Sequence, residues 1–140
     1  MTYYDTYAEY KGYVTPTLGE KHLRRFEKEV WNPGSYSSDM SILEVGCGTG
    51  LVLASLHRKG VRDLLGIDHD ANLERVIPTS VASCFKRTDI WEFVDSEAQR
   101  GPTYDRIILF DVLEHFSPES GERLLSSLRQ RLLPCGAIHV

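Results

Sequence analysis

The segment Ile42-Leu43-Glu44-Val45-Gly46-Cys47-Gly48-Thr49-Gly50 decides the fold. Ser41 to Val45 is a short apolar run suited to a buried strand, and Leu51 to Lys59 reads as a helix closed by Gly60. Between them, glycines at alternate positions allow a sharp turn and let the backbone approach a ligand with no Cβ in the way. Strand, glycine turn and helix in this order aim a helix N-terminus at whatever the turn holds. Glu44, at the end of the strand, repels a pyrophosphate and suits a cationic or amino-bearing ligand. The dinucleotide pattern GxGxxG needs its third glycine at position 51, where this chain has Leu51. Gly50-Leu51-Val52 also lacks the Gly-Lys-Ser/Thr ending of a phosphate-binding loop, so nucleoside triphosphate chemistry is disfavoured. A glycine turn with a purely structural purpose is the alternative.

Downstream, the same alternation continues. Leu64 to Ile67 reads as a second strand ending at Asp68, followed by a weaker helical segment from Ala71 to Val76 that Pro78 stops. Val81 to Phe85 is a candidate third strand, Ile90 to Gln99 a helix broken by Gly101-Pro102, and Tyr104 to Phe110 contains the fourth strand, Arg106 to Phe110. Glu119 to Leu133 carries Leu124, Leu125, Leu128 and Leu132 at helical spacing, with Pro134-Cys135-Gly136 ending it before a last strand from Ala137 to Val140. Upstream, Leu18 to Trp31 places Leu23, Phe26 and Val30 on one helical stripe, and Asn32 to Asp39 is a turn or linker. Strands alternating with helices imply right-handed crossovers and an α/β fold, a parallel sheet with helices on both faces. Residues 1–40 are expected to form an N-terminal helical or lid segment and 41–140 the ligand-binding domain.

With 140 residues, 41% hydrophobic and 26% charged, the chain has the means for one packed core and no more. Its net charge of −4 lacks the positive field of a dedicated nucleic-acid binder, which leaves room only for a local basic patch. Cys47, Cys84 and Cys135 form no CxxC pair, which argues against a disulfide framework or a zinc ribbon, and no metal is expected. No window is apolar enough for a signal peptide or a membrane span, so a reducing cytoplasm is the expected location.

In such sheets ligands bind outside the carboxyl ends of the strands, which selects Gly46 to Gly50, Asp68, Asp89 and Phe110 to His115. Asp68 follows the glycine turn at about the twenty-residue interval where a carboxylate meets a ribose hydroxyl pair. Its other reading is a helix N-cap, a role that Asp70 can also fill. Asp89 can take the amine of an adenine with Ile90 on the ring face, or cap the helix that follows. His115 lies at the mouth of the fourth strand, as a titratable group or as a packing or capping residue before Pro118; Asp111 and Glu114 are similarly placed. Tyr3, Tyr4, Tyr7, Tyr10 and Tyr13 crowd the N-terminus, as an aromatic lid or as a helix packed on the sheet. Lys21, Arg24 and Arg25 suit an anion or a solvated helix face.

Together these segments resemble the class I S-adenosylmethionine-dependent methyltransferases of the small-molecule branch, from Ser41 to Val140. The first motif is the glycine turn itself. Gly66-Ile67-Asp68, Thr88-Asp89-Ile90, Tyr104 to His115 and Leu132-Leu133-Pro134-Cys135-Gly136-Ala137 are similar to the motifs that follow it, in order. The resemblance implies a Rossmann-like doubly wound parallel sheet in strand order 3-2-1-4-5, with S-adenosylmethionine as cofactor. Gly46, Cys47, Gly48 and Gly50 would hold its methionine portion, Asp68 the ribose, and Asp89 with Ile90 the adenine. Phe110 would face the cofactor with its backbone carbonyl toward the amino group, and Glu44, His69 and Asp111 complete the expected contacts. The implied activity is methyl transfer to an oxygen, carbon or nitrogen of a small metabolite, an in-line displacement that alignment and exclusion of water can drive, with His115 as candidate catalytic base. A module that holds the cofactor without turnover and an NAD-type oxidoreductase domain are the alternatives. Two departures stand out: Cys135 replaces the usual glycine, and the family's C-terminal hairpin after the fifth strand is absent. The domain is therefore expected to be truncated at Val140, its fifth-strand edge covered by more chain, a second copy or a partner.

Overall fold

The computed structural model describes residues 13–97 and 101–140. Tyr3, Tyr4, Tyr7 and Tyr10 lie outside them, as does Gln99, the expected end of the helix that begins at Ile90. Five strands, β1 (Ser41–Val45), β2 (Asp63–Asp68), β3 (Phe85–Arg87), β4 (Tyr104–Ile108) and β5 (Leu132–His139), form one sheet. Its order is β3-β2-β1-β4-β5 and every pairing is parallel, the doubly wound arrangement that the family resemblance implies. The helices are α1 (Glu20–Phe26), which widens into a π-turn through Trp31, α2 (Leu51–Arg58), α3 (Ile90–Glu97) and α4 (Pro118–Arg129).

All of β1 is buried, because it is central and covered on both faces. Side chains alternate across the sheet, so the two faces build separate apolar layers. Ile42 joins Phe26, Leu53, Leu56 and Val81 in one, while Leu43 and Val45 join Phe93, Ile107, Leu124 and Leu128 in the other. Phe26 of α1, α2 and Val81 thus cover one face, and α3 and α4 the other. Each fully buried leucine contributes on the order of 1.5–3 kcal/mol. The chain winds outward from β1 in both directions, so a switch point falls between β1 and β4, with a crevice at their carboxyl ends.

Three expectations need correction. Thr79–Cys84 is a 3-10 turn and β3 begins only at Phe85, because Val81 is drawn fully into the helical layer and Pro78 starts the turn. Ala71–Arg75 is likewise a 3-10 turn, capped by Asp70. The last helix stops at Arg129, since Leu132 already pairs with Tyr104 in β5. Pro134-Cys135-Gly136 therefore lies inside β5, as an irregularity between the Tyr104 and Arg106 pairings. Cys135 adopts a left-handed φ of 66° there, the conformation a glycine accepts more readily.

Gly66 sets how closely α2 packs on β2. A Cβ at this position would run into Leu53 Cδ1 and lie 3.1 Å from Cys47 Cβ and Sγ. Gly66→Ala is expected to lower stability by about 1–3 kcal/mol, read as an earlier urea midpoint; an unchanged midpoint would contradict this packing.

Candidate functional site

The carboxyl ends of β1 to β4 surround a cavity of about 560 Å³, within the usual size range for small-molecule pockets. Gly46, Asp68, His69, Asp89, Ile90, Asp111 and His115 line it. Glu44, Cys47, Gly48, Gly50 and Phe110 are not on its wall. Phe110 packs its ring edge-on against His139, 4.8 Å between centroids, as part of the core beneath α1 and α2.

Gly46, Gly48 and Gly50 have φ of 69°, 54° and 83°, so the turn demands left-handed backbone at each glycine. Hydrogen bonds lock it to β2. The Gly46 and Cys47 amides both donate to the Ile67 carbonyl, at 2.8 and 3.0 Å, and the Gly48 amide donates to Asp68 Oδ2 at 3.1 Å. Asp68 Oδ1 accepts from the Asp70 amide at 3.1 Å. A carboxylate can accept about four hydrogen bonds, so Asp68 keeps capacity for a ligand after fixing both loops.

The N-cap alternatives resolve individually. Asp70 caps its 3-10 turn through the Asn72 amide, at 2.9 Å. Asp89 caps α3, its Oδ1 accepting from the Trp91 and Glu92 amides at 2.9 and 3.2 Å, while it also lines the cavity. His115 is exposed at the cavity in a 3-10 turn, and Glu114 is exposed away from the wall. Asp111 holds a φ of 55°, an uncommon conformation for a non-glycine residue and one that recurs at functional sites.

Behind the turn lies Glu44, 4% exposed, whose Oε1 has no hydrogen-bond partner among the described residues. Burial, and then the charge of Asp68, hold its carboxyl well above the usual carboxylate range. Burial also pushes the Cys47 thiol up, helped by Glu44 and Asp68, so it packs as a neutral thiol. Among the described residues no group of three or more His, Cys, Asp or Glu is placed to hold a metal, and no helix is long and apolar enough to cross a membrane.

Sequence reasoning missed Trp91 and Phe116, which line the cavity with rings 5.8 Å apart, edge to face. The Arg123 guanidinium lies 4.5 Å from the centre of the Trp91 ring, within cation–π range. The available signal was a large aromatic directly after Asp89-Ile90, on the first turn of a helix at the carboxyl end of a strand.

A family model described as a methyltransferase domain matches residues 11–140. The chain belongs to the methyltransferase domain family. It is 29% identical over 119 residues to the mitochondrial ubiquinone biosynthesis O-methyltransferase of Mus musculus, covering 78% of this chain and 30% of that protein. The ubiquinone biosynthesis O-methyltransferase of Rickettsia bellii is 28% identical over 100 residues, covering 71% and 40%. The chain thus spans less than half the length of these curated relatives. A SAM-dependent methyltransferase from Archaeoglobus fulgidus has the same fold, with a TM-score of 0.66 at 20% identity over 94% of this chain and 54% of that one. One from Thiobacillus denitrificans, solved with S-adenosyl-L-homocysteine, gives 0.61 at 15% identity over 99% and 54%.

Loss of the Asp89 cap is expected to cost about 1 kcal/mol. Asp89→Ala should therefore melt earlier than the parent while Asp89→Asn, which keeps an acceptor, stays close to it; equal melting of all three would show that the cap contributes nothing.

Proposed function

We propose that this methyltransferase-family chain binds S-adenosylmethionine in the cavity at the carboxyl ends of β1 to β4 and transfers its methyl group to a small metabolite. The observation that carries this reading is the convergence of the Gly46 turn, Asp68 and Asp89-Ile90 on one cavity, with the unpartnered Glu44 oxygen behind it. The residues fit the cofactor. Asp68 has acceptor capacity for ribose hydroxyls, Ile90 and Trp91 offer apolar surface to a purine, and the position of a Cβ on Gly48 is open. Glu44 suits the amine of the methionine portion. Bound there, S-adenosylmethionine supplies a methyl group on a sulfonium, whose leaving group needs no activation. The chain's task is then to orient the two reactants and exclude water.

An oxygen acceptor is favoured because both curated relatives are named O-methyltransferases. His115, exposed on the cavity wall, is the candidate to take the proton of such a hydroxyl. Tyr13 also lines the cavity, as a residue of an aromatic cover would. A cytoplasmic location accords with three free cysteines.

Calorimetric titration tests the cofactor assignment. S-adenosylhomocysteine should bind and NAD should not, and Asp68→Ala should weaken binding by about 1.5–3 kcal/mol, the value of a hydrogen bond to a charged group. Unchanged affinity in the variant would misplace the ribose, and binding of NAD alone would favour the oxidoreductase reading. Tight binding with no product across a broad acceptor panel would favour a module without turnover.

A further inference from the structure

Glu44 has surroundings that its position before the turn does not explain. Asp68 acts on it from β2, and the Glu44 charge in turn bears on the Cys47 thiol in the turn and the Tyr36 hydroxyl in the loop before β1. Its sheet neighbours in register are Gly66 on β2 and Ile108 on β4, neither of which carries a charge. Arg106 of β4 is engaged elsewhere, donating to the carbonyls of Gly34, Ser35 and Asp105. The Tyr36 hydroxyl is hydrogen-bonded to His139 Nδ1 at 2.8 Å. Burial, then the Arg106 charge, hold that imidazole below its ordinary range, so it adds no positive charge. A buried carboxyl with no cation on it, an unpartnered oxygen and a second carboxylate nearby is stable only as the neutral acid.

We propose that Glu44 is a proton-exchanging specificity residue: it is a neutral acid in the empty chain and becomes a carboxylate when the ammonium group of the cofactor's methionine portion binds, releasing its proton to solvent. This rests on the cofactor reading above. The balance is complete, since the ammonium keeps its protons, the carboxylic acid loses one, and no bond is otherwise made or broken. Ligands without the amine leave Glu44 protonated, so the site distinguishes amino-bearing ligands from their deaminated counterparts by charge as well as by shape.

The sign follows from linkage. The empty chain holds the proton to higher pH than the complex does, so amine binding strengthens as pH rises through that window, by up to about tenfold per pH unit. It levels off once the empty chain is itself ionised. At pH 6 an α-amine, with an ordinary value of about 7.7–8.0, is still charged, so the released proton comes from the protein. The imidazoles of His69 and His115 also line the cavity, so the comparison is made between two ligands that share the same adenosine.

The test is isothermal titration at several pH values between about 5 and 7, in two buffers of different ionisation enthalpy at each, which counts protons per ligand bound. Within that range S-adenosylhomocysteine should release up to about one proton more than its deaminated analogue, which keeps the carboxylate. Glu44→Gln should abolish the excess and weaken S-adenosylhomocysteine binding about 10- to 100-fold. Should that variant fail to fold, the two ligands on the unaltered chain decide the matter. Equal proton release for both ligands, or an excess that survives in Glu44→Gln, overturns the inference while the cofactor reading stands. No binding of S-adenosylhomocysteine overturns both.

Discussion

The connection between the end of β1 and the end of β2 is the constraint on which the site depends. Two amides of the glycine turn converge on the Ile67 carbonyl and a third reaches Asp68, so the turn has no freedom to relax away from β2. The same Asp68 carboxylate receives the Asp70 amide and orders the loop after β2. One side chain thereby sets the shape of two walls of the cavity. Gly66 makes this possible, since a Cβ there would run into the Leu53 side chain of α2 and crowd Cys47 in the turn.

The close approach has an electrostatic consequence. It brings Glu44 and Asp68 near one another, and the two carboxyls stand in different surroundings. Asp68 reaches the cavity and is hydrogen-bonded, whereas Glu44 is enclosed. Packing that is favourable for the fold therefore leaves one acid uncompensated, and a cationic ligand is the natural complement. The neutral Cys47 thiol belongs to the same environment and fills space between the turn and Gly66.

The parts legible in the sequence were those with a local physical cause. Three glycines requiring left-handed backbone, an apolar β1 covered on both faces and the β2 carboxylate at its usual interval were enough to place a parallel sheet and the cavity at its carboxyl end. The order of the strands has no such local cause, and only the family resemblance implied it. What the sequence concealed depended on tertiary competition. Val81 looks like a strand residue, but the helical layer buries it; Leu132 continues the α4 leucine pattern, but Tyr104 claims it for β5. Trp91 joins the site with Phe116 and Arg123 on its ring, both distant in sequence. The partnership of Tyr36 with His139 likewise spans the chain and has no local signature.

A crystal structure of the chain with S-adenosylhomocysteine tests the central claim most directly. The ribose hydroxyls should lie within hydrogen-bonding distance of Asp68, the purine against Ile90, and the amine beside Glu44. A ligand bound outside the cavity, or one with its ribose away from Asp68, would contradict the assignment.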